Sequence, residues 1–201
     1  MLEFLEPHME MIKTVGGILF IVMIIAMIVL SIKDHGRQIE AFSQKYGFKC
    51  DDKHPLCAEI DDIIKNSARF SKKWLAGVPY LIGDGEAVFI LSMTSSNSAS
   101  RDMLAYWSRT RNPDVVFRGT FFGKQDIVIE GLEAYYISAR DEAAARLTAG
   151  KIKDFLLRHP EEYELEITGG NLIVAMDGQL KSAEQYEALL LAGREIRTLL
   201  R

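Results

Sequence analysis

Three side chains that bind zinc in many proteins, Cys50, His54 and Cys57, lie close together in the sequence. Thiolate sulfur and imidazole nitrogen are the usual zinc ligands, so these residues could form part of a metal site. A structural zinc site normally has four ligands in two pairs. The chain has no further cysteine, and its other histidines are distant in sequence. The pattern therefore favours two ordinary cysteines in a turn before a helix over a metal site.

The same two cysteines leave a second alternative, a Cys50–Cys57 disulfide. Such a bond would persist if this part of the chain lay outside the cytoplasm, and it would be reduced inside. The redox state of the pair would therefore report on the compartment in which this part of the chain lies.

Serine hydroxyls are concentrated in residues 94–100, TSSNSAS. A serine nucleophile requires a base within hydrogen-bonding reach and donors for the oxyanion. The chain contains no G-x-S-x-G elbow, and no histidine lies near this segment. A solvated hairpin loop is the favoured interpretation, because Ser and Asn are common in turns for backbone reasons.

The remaining candidate motifs give no catalytic or cofactor-binding residue. The glycines at 83 and 85 fit neither the Walker pattern nor the dinucleotide fingerprint. The adjacent carboxylates at 61–62 and 161–162 would diverge on a helix and face solvent. The aromatic pairs Tyr106-Trp107 and Tyr135-Tyr136 are expected in a sheet, with one member of each pair buried, rather than on a base-stacking surface.

The elements that would position these residues mix helical and strand periodicity. Helices are predicted at 37–46, 55–74 and 142–158, with an interruption at Gly150, and a final helix opens with the capping box Ser182-x-x-Gln185. Strands are predicted at 80–82, 87–93, 103–109, 115–122, 127–129, 134–139, 163–168 and 172–176. Hairpin turns at Asp84-Gly85 and Gly169-Gly170 make the strands antiparallel. The pattern therefore predicts an α+β fold, an antiparallel-hairpin sheet packed with helices, rather than a parallel doubly wound sheet.

Composition limits the function. The formal net charge is −4, with 24 Lys and Arg against 28 Asp and Glu, so the chain lacks the basic surplus of a nucleic-acid binder. Hydrophobic residues make up 48% of the chain, which is typical of a globular protein. They are unevenly distributed, and the longest apolar run lies near the N-terminus.

No charged residue lies between Lys13 and Lys33, and this run contains 12 Ile, Leu, Val or Phe residues. As a helix it would span roughly 27–29 Å, close to a hydrocarbon core of ~30 Å. These residues favour membrane insertion by roughly 4–7 kcal/mol. A cleaved signal peptide is disfavoured because the preceding tail is mostly acidic and no A-x-A site follows. We expect a tail at 1–13, a transmembrane helix at 14–32, a juxtamembrane helix and linker at 33–54, and an α+β domain at 55–201.

Basic residues predict the orientation. Lys33, Arg37, Lys45 and Lys49 follow the apolar run, whereas Lys13 alone precedes it. Because Lys and Arg are retained on the cytoplasmic side, the N-terminus is expected outside and the domain in the cytoplasm. The same four residues are candidates for contact with anionic lipid headgroups.

The layout resembles a broad set of uncharacterised bacterial single-pass membrane proteins with a small α+β domain. The matching segments are KYGFKCDDKHP, residues 45–55, and AYYISARDEAAARLTAGKIKDFLLRHPEEYELEITGGNLIVAMDG, residues 134–178. The resemblance implies a bacterial, membrane-anchored protein and carries no catalytic residues.

Three functions fit these observations. The first, which needs no special residues, is a membrane-anchored interaction or scaffold domain at the cytoplasmic face of a bacterial inner membrane. It would contact the lipid bilayer and another membrane or cytoplasmic protein, with no nucleic acid and no cofactor. The second is a membrane-associated enzyme with an unrecognised site, and the third is a sensor of anionic lipid surfaces.

Overall fold

The computed structural model describes residues 15–27, 41–42, 44–46, 49–50, 53–70, 74–77, 79–82, 85–93, 102–119, 126–159, 163–177 and 182–201. The chain divides into two compact units, residues 1–41 and residues 42–201. In the first unit, residues 15–27 form a helix, and the second unit contains the sheet.

The helix at residues 15–27 carries no polar side chain. Its large apolar side chains are all exposed, from 36% at Ile24 to 64% at Leu19. Over the part of the chain that is described, no helix combines the length and hydropathy needed to cross a bilayer. Residue 14 and residues 28–32 of the predicted span lie outside the described residues, as do the tail 1–13 and residues 33–40.

The strands found among the described residues form one nine-stranded sheet, and every pairing is antiparallel. They are β1 Lys49–Cys50, β2 Trp74–Ala76, β3 Tyr80–Leu81, β4 Glu86–Met93, β5 Asp102–Arg109, β6 Val115–Gly119, β7 Tyr135–Ala139, β8 Tyr163–Thr168 and β9 Asn171–Asp177. The order is β1-β3-β4-β5-β9-β8-β6-β7, and β2 also pairs with β4. The predicted strand at 127–129 is reduced to one bridge, Ile127 to Ile137.

Both predicted hairpins are present. Gly85 precedes β4 with φ of 91°, and Gly169 and Gly170 join β8 to β9 with φ of 52° and 77°. Two consecutive residues in the left-handed region are typical of a type I′ turn, whose twist matches that of the flanking strands. The β8–β9 turn thus fixes the register that places Ile167 opposite Leu172.

Helices cover both faces of the sheet: α1 Pro55–Asn66, α2 Glu142–Arg158 and α3 Ala183–Leu199. On one face, Ile60 and Ile64 of α1 pack in a cluster with Phe89 and Trp107. On the other, α3 packs against β5 and β9, with α2 beside it and against β7. The α+β class with an antiparallel sheet and packed helices is therefore confirmed.

Two helix predictions were wrong in their bounds. The helix predicted at 55–74 ends at Asn66, and Trp74 begins a strand. The helix predicted to break at Gly150 continues through it. Glycine costs about 1 kcal/mol inside a helix, and burial of the neighbouring Ala149 and Ile152 offsets that cost. The capping box of Ser182 and Gln185 is confirmed at the start of α3.

Two carboxylates of β8 explain why α1 ends where it does. Glu166, with none of its surface exposed, accepts hydrogen bonds from Ser67 Oγ at 2.5 Å, Ala68 N at 2.8 Å and Arg69 N at 3.1 Å. Glu164 accepts two more from the Arg69 guanidinium, at 2.6 Å and 3.0 Å. A buried carboxylate is stable only when it is hydrogen bonded. Glu166 obtains its hydrogen bonds from the residues that follow Asn66, and these bonds direct the chain away from the helix axis.

The segment before β1 packs onto the start of α3. Phe42 is 3% exposed, and its ring centroid lies 5.3 Å from that of Tyr186 and 4.9 Å from that of Tyr46. Lys45 Nζ lies 2.7 Å from Glu187 Oε1. Because an exposed ion pair contributes little to stability, the aromatic contacts provide most of the attachment of this segment to the domain.

Candidate anion-binding cleft

A cleft of about 790 Å³ opens where the end of β5, the β8–β9 turn, α2 and the end of α3 meet. Strand pairing brings two of these elements together, since Arg109 lies opposite Asn171 and Thr110 N donates to Gly170 O at 2.9 Å. We call it the cationic cleft. It is lined by Arg109, Thr110, Arg111, Asn112, Lys151, Gly170, Arg197, Leu200 and Arg201.

A polar network at the end of α3 positions Lys151. Lys151 Nζ donates to Leu200 O at 3.2 Å and to Asn112 Oδ1 at 3.4 Å, while Asn112 Nδ2 donates to Leu200 O at 2.9 Å. The last carbonyls of a helix have no partner within it, and a cation near them also interacts favourably with the helix dipole. Lys151 thus has a structural role that also directs its ammonium group to the cleft.

Arg109 is held at the mouth of the cleft by two neighbours. Its Nη1 donates to Asn171 Oδ1 at 3.1 Å, and its Nη2 pairs with Glu59 of α1. The guanidinium carbon also lies 5.4 Å from the ring centroid of Trp107. These contacts fix the side chain while leaving it 55% exposed.

Arg197 is held by a buried carboxylate on β4. Glu86, only 8% exposed, accepts hydrogen bonds from Arg197 Nη1, from Arg194 Nε at 3.0 Å and from Tyr106 OH at 3.0 Å. Burial, with the nearby Glu86 charge, raises the pKa of Tyr106 to about 12, so its hydroxyl remains a donor at neutral pH. The cluster fixes the angle at which Arg197 meets the cleft.

The charge of the cleft is incompletely neutralised. Arg109 and Arg197 have the carboxylate partners described above, whereas Arg111, Lys151 and Arg201 have no ion pair among the described residues. The C-terminus of α3 offsets about half a charge. The described lining contains no carboxylate side chain, imidazole or thiol. The arrangement supplies several hydrogen-bond donors for an anion.

The residues considered for zinc are not brought together as a metal site in the part that is described. His54 is the N-cap of α1, and its Nδ1 accepts a hydrogen bond from Leu56 N at 3.2 Å. Cys57 is half-buried on α1, and the side chain of Cys50 lies outside the described residues. No group of three potential ligands is found among the described His, Cys, Asp and Glu side chains. Zinc binding and a Cys50–Cys57 disulfide, the two alternatives to ordinary cysteines, therefore stay untested.

The predicted lipid-contact residues fall mostly outside the described part. Lys33 and Arg37 lie there entirely, and so does the side chain of Lys49. Lys45 is 59% exposed and pairs with Glu187, and its contact with lipid stays a prediction.

The expectations for polar and aromatic pairs met different outcomes. Residues 83–84, 94–100 and 161–162 lie outside the described residues. Tyr135 is buried and Tyr136 half-buried, as predicted. Tyr106 and Trp107 are both buried, which corrects the expectation of one buried member, because helices cover both faces of β5.

The cationic cleft was not predicted from the sequence. The signals for it were Arg109 and Arg111 at the end of a strand, and Arg197 and Arg201 four positions apart at the end of the last helix. Comparisons of the chain with models of protein families, with curated proteins and with solved structures gave no match.

Proposed function

We propose that this chain is a membrane-anchored interaction domain that binds an anionic partner in the cationic cleft. The observation that carries the proposal is the convergence of five basic side chains, three of them without a carboxylate partner among the described residues. Like charges gathered around one concave surface repel each other, and a bound anion relieves that repulsion.

The anchor is residues 14–32, with the N-terminus outside and the domain at the cytoplasmic face of a bacterial inner membrane. The helical residues 15–27 support this proposal, because an apolar helix exposed on all sides requires a hydrocarbon surrounding. The basic residues that follow the run support the orientation. In this arrangement the domain holds its partner near the membrane surface.

The two alternatives receive less support. An enzyme needs a group that attacks or moves a proton. The described lining of the cleft offers only the Thr110 hydroxyl and the Lys151 amine, and Lys151 already donates to Leu200 O and Asn112 Oδ1. A lipid-surface sensor would rely on Lys33, Arg37, Lys45 and Lys49, whereas the described cationic cluster lies at the other end of α3 from Lys45.

Anion binding is tested on the full chain in neutral detergent micelles. Isothermal titration with inorganic tripolyphosphate, citrate and an oligo-aspartate peptide measures whether any of them binds with a stoichiometry of one. We expect at least one to bind, and the double variant Arg111→Ala/Arg201→Ala to weaken its binding by about tenfold or more. Both arginines are exposed and lack described ion pairs, so the variant should fold.

The control is Arg146→Ala, which removes one positive charge from α2 outside the cleft. It should leave affinity unchanged. Failure of all three anions to bind, or equal weakening by the control, would contradict the proposal.

The anchor is tested by alkaline extraction of membranes. The wild-type chain should remain in the pellet. The double variant Ile21→Asp/Ile25→Asp should move to the supernatant, because each Asp costs about 2.5–3.5 kcal/mol near a helix centre and the two offset the insertion free energy. Leu147→Asp, at a residue 67% exposed on α2, is the control and should stay in the pellet. Release of the wild-type chain would refute the anchor. Cleavage of the domain by protease added outside spheroplasts would show that the domain lies on the outer side and would contradict the proposed orientation.

A further inference from the structure

The charges of the cationic cleft come from three separate elements. Arg109 and Arg111 lie at the end of β5 and just beyond it, Lys151 on α2, and Arg197 and Arg201 at the end of α3. A volume of about 790 Å³ is that of a site for a whole small molecule, which is larger than one phosphate or carboxylate group. A ligand that satisfies all three sides therefore carries more than one anionic group.

The lining also limits what else the ligand contains. Thr110, Asn112 and Gly170 are the uncharged polar members, and Leu200 is the one described apolar member. No aromatic ring lines the cleft in its described part, so a nucleobase would find no aromatic stacking partner. The Trp107 ring is buried beside Arg109 and belongs to the core. The lining suits a ligand made of anionic and hydroxyl groups.

Charge distinguishes phosphate from carboxylate. A phosphate monoester carries about −1.5 to −2 charges and three acceptor oxygens, whereas a carboxylate carries one charge and two oxygens. Two phosphate groups neutralise the three cations without described carboxylate partners, a charge that would otherwise take three carboxylates. Arg111 and Arg201 offer planar guanidinium groups that bind phosphate with two hydrogen bonds.

Resting on the function proposed above, we infer that the ligand of the cationic cleft is a small, multiply phosphorylated group without an aromatic base. The same chemistry occurs in soluble polyphosphates and phosphorylated polyols and in a lipid headgroup with two phosphates. Glu86 is a positioning residue for this ligand, because it holds Arg197 at the cleft.

The test titrates the full chain in neutral detergent micelles with inorganic tripolyphosphate, inorganic phosphate, citrate and ATP. Tripolyphosphate should bind about tenfold or more tightly than inorganic phosphate or citrate, and ATP should gain nothing over tripolyphosphate. Raising the salt concentration should weaken tripolyphosphate binding, because exposed charges are screened. Arg111→Ala/Arg201→Ala should weaken it by about tenfold or more, and Arg146→Ala should not.

The outcomes separate this inference from the function on which it rests. Citrate binding as tightly as tripolyphosphate would overturn the phosphate inference and leave anion binding intact. If ATP binds tenfold more tightly than tripolyphosphate, the inference that the ligand lacks an aromatic base is wrong. If no anion binds, both proposals fail.

Nanodiscs identify the source of the phosphates. When the chain is placed in phosphatidylcholine nanodiscs with and without cardiolipin, loss of tripolyphosphate binding in the presence of cardiolipin supports the inference with a lipid headgroup as ligand. Unchanged binding supports it with a soluble ligand. A cardiolipin effect that persists in Arg111→Ala/Arg201→Ala would contradict a role for the cleft.

Discussion

Replacing Gly193 by alanine should destabilise the domain, whereas the same replacement at Gly150 should stabilise it. Both glycines lie inside helices of 17 residues, α3 and α2. Alanine is better than glycine in a helix by about 1 kcal/mol, so helix propensity alone predicts an equal gain at both positions. Their surroundings reverse the sign at one of them.

The magnitude follows from the space around each Cα. A methyl group at Gly193 would lie 2.3 Å from Cγ and Cδ1 of Tyr106, where carbon atoms need roughly 3.5–4 Å. The ring has no room to move, because it is buried and its hydroxyl is bonded to Glu86. Overpacking of this kind costs about 1–3 kcal/mol, and the upper end applies because the backbone must shift. The net loss is about 2 kcal/mol after the helix gain.

At Gly150 a methyl group would meet no heavy atom within 4 Å, so the full gain of about 1 kcal/mol is expected. The two variants should therefore differ by about 3 kcal/mol, or roughly 6–12 °C in Tm for a domain of this size. Thermal unfolding of the full chain, followed by near-ultraviolet circular dichroism in the same detergent, measures the difference. Equal shifts of the two variants, or a Gly193→Ala variant as stable as wild type, would refute the close approach of α3 to Tyr106.

Three further predictions concern stability. Glu166→Ala should lower the free energy of unfolding by about 3 kcal/mol or more, because a buried hydroxyl and two backbone N–H groups lose their acceptor. Glu166→Gln should lower it less. Urea unfolding measures both variants. The pKa of Tyr106 is raised from its ordinary value of 10.0 to about 12 in the folded protein. Its contribution to stability is therefore fully present below pH 10 and is lost as the pH rises towards 12. The fall in unfolding free energy over that range, about 2 kcal/mol, should be smaller in Tyr106→Phe, and an identical slope would contradict the burial of a neutral phenol. Ser182→Ala should cost about 1 kcal/mol through loss of the capping box at the start of α3, and no change in Tm would argue against the cap.

Local signals in the sequence predicted much of the fold because they arise from backbone chemistry. Glycines with positive φ mark the β8–β9 turn, and Ser182 and Gln185 bond each other's backbone wherever the helix starts. The end of α1 was missed because Phe70 and Trp74 are four residues apart and imitate a helical face. The interaction that ends the helix comes from Glu166, a residue distant in sequence.

The burial of both Tyr106 and Trp107 was missed for a related reason. Alternation of apolar and polar residues along a strand predicts one solvent-exposed face. The packing of α1 and α3 on opposite sides of the sheet buries both faces of β5. The cationic cleft was missed because its residues lie on three elements, and their proximity follows from strand order. The order β5-β9-β8 brings the end of β5 beside a turn formed about sixty residues later in the sequence.

Helix α3 has a mechanical consequence. It spans about 25 Å as a rigid rod, with Phe42 and Lys45 seated on Tyr186 and Glu187 at its start and Arg197 presented to the cleft at its end. Because Gly193 lets the rod lie directly on the Tyr106 ring, it has little freedom to bend between these points. A displacement of the segment at Phe42 would therefore shift the same helix that positions Arg197. Conversely, a shift of Arg197 on ligand binding would be transmitted along α3 to Phe42.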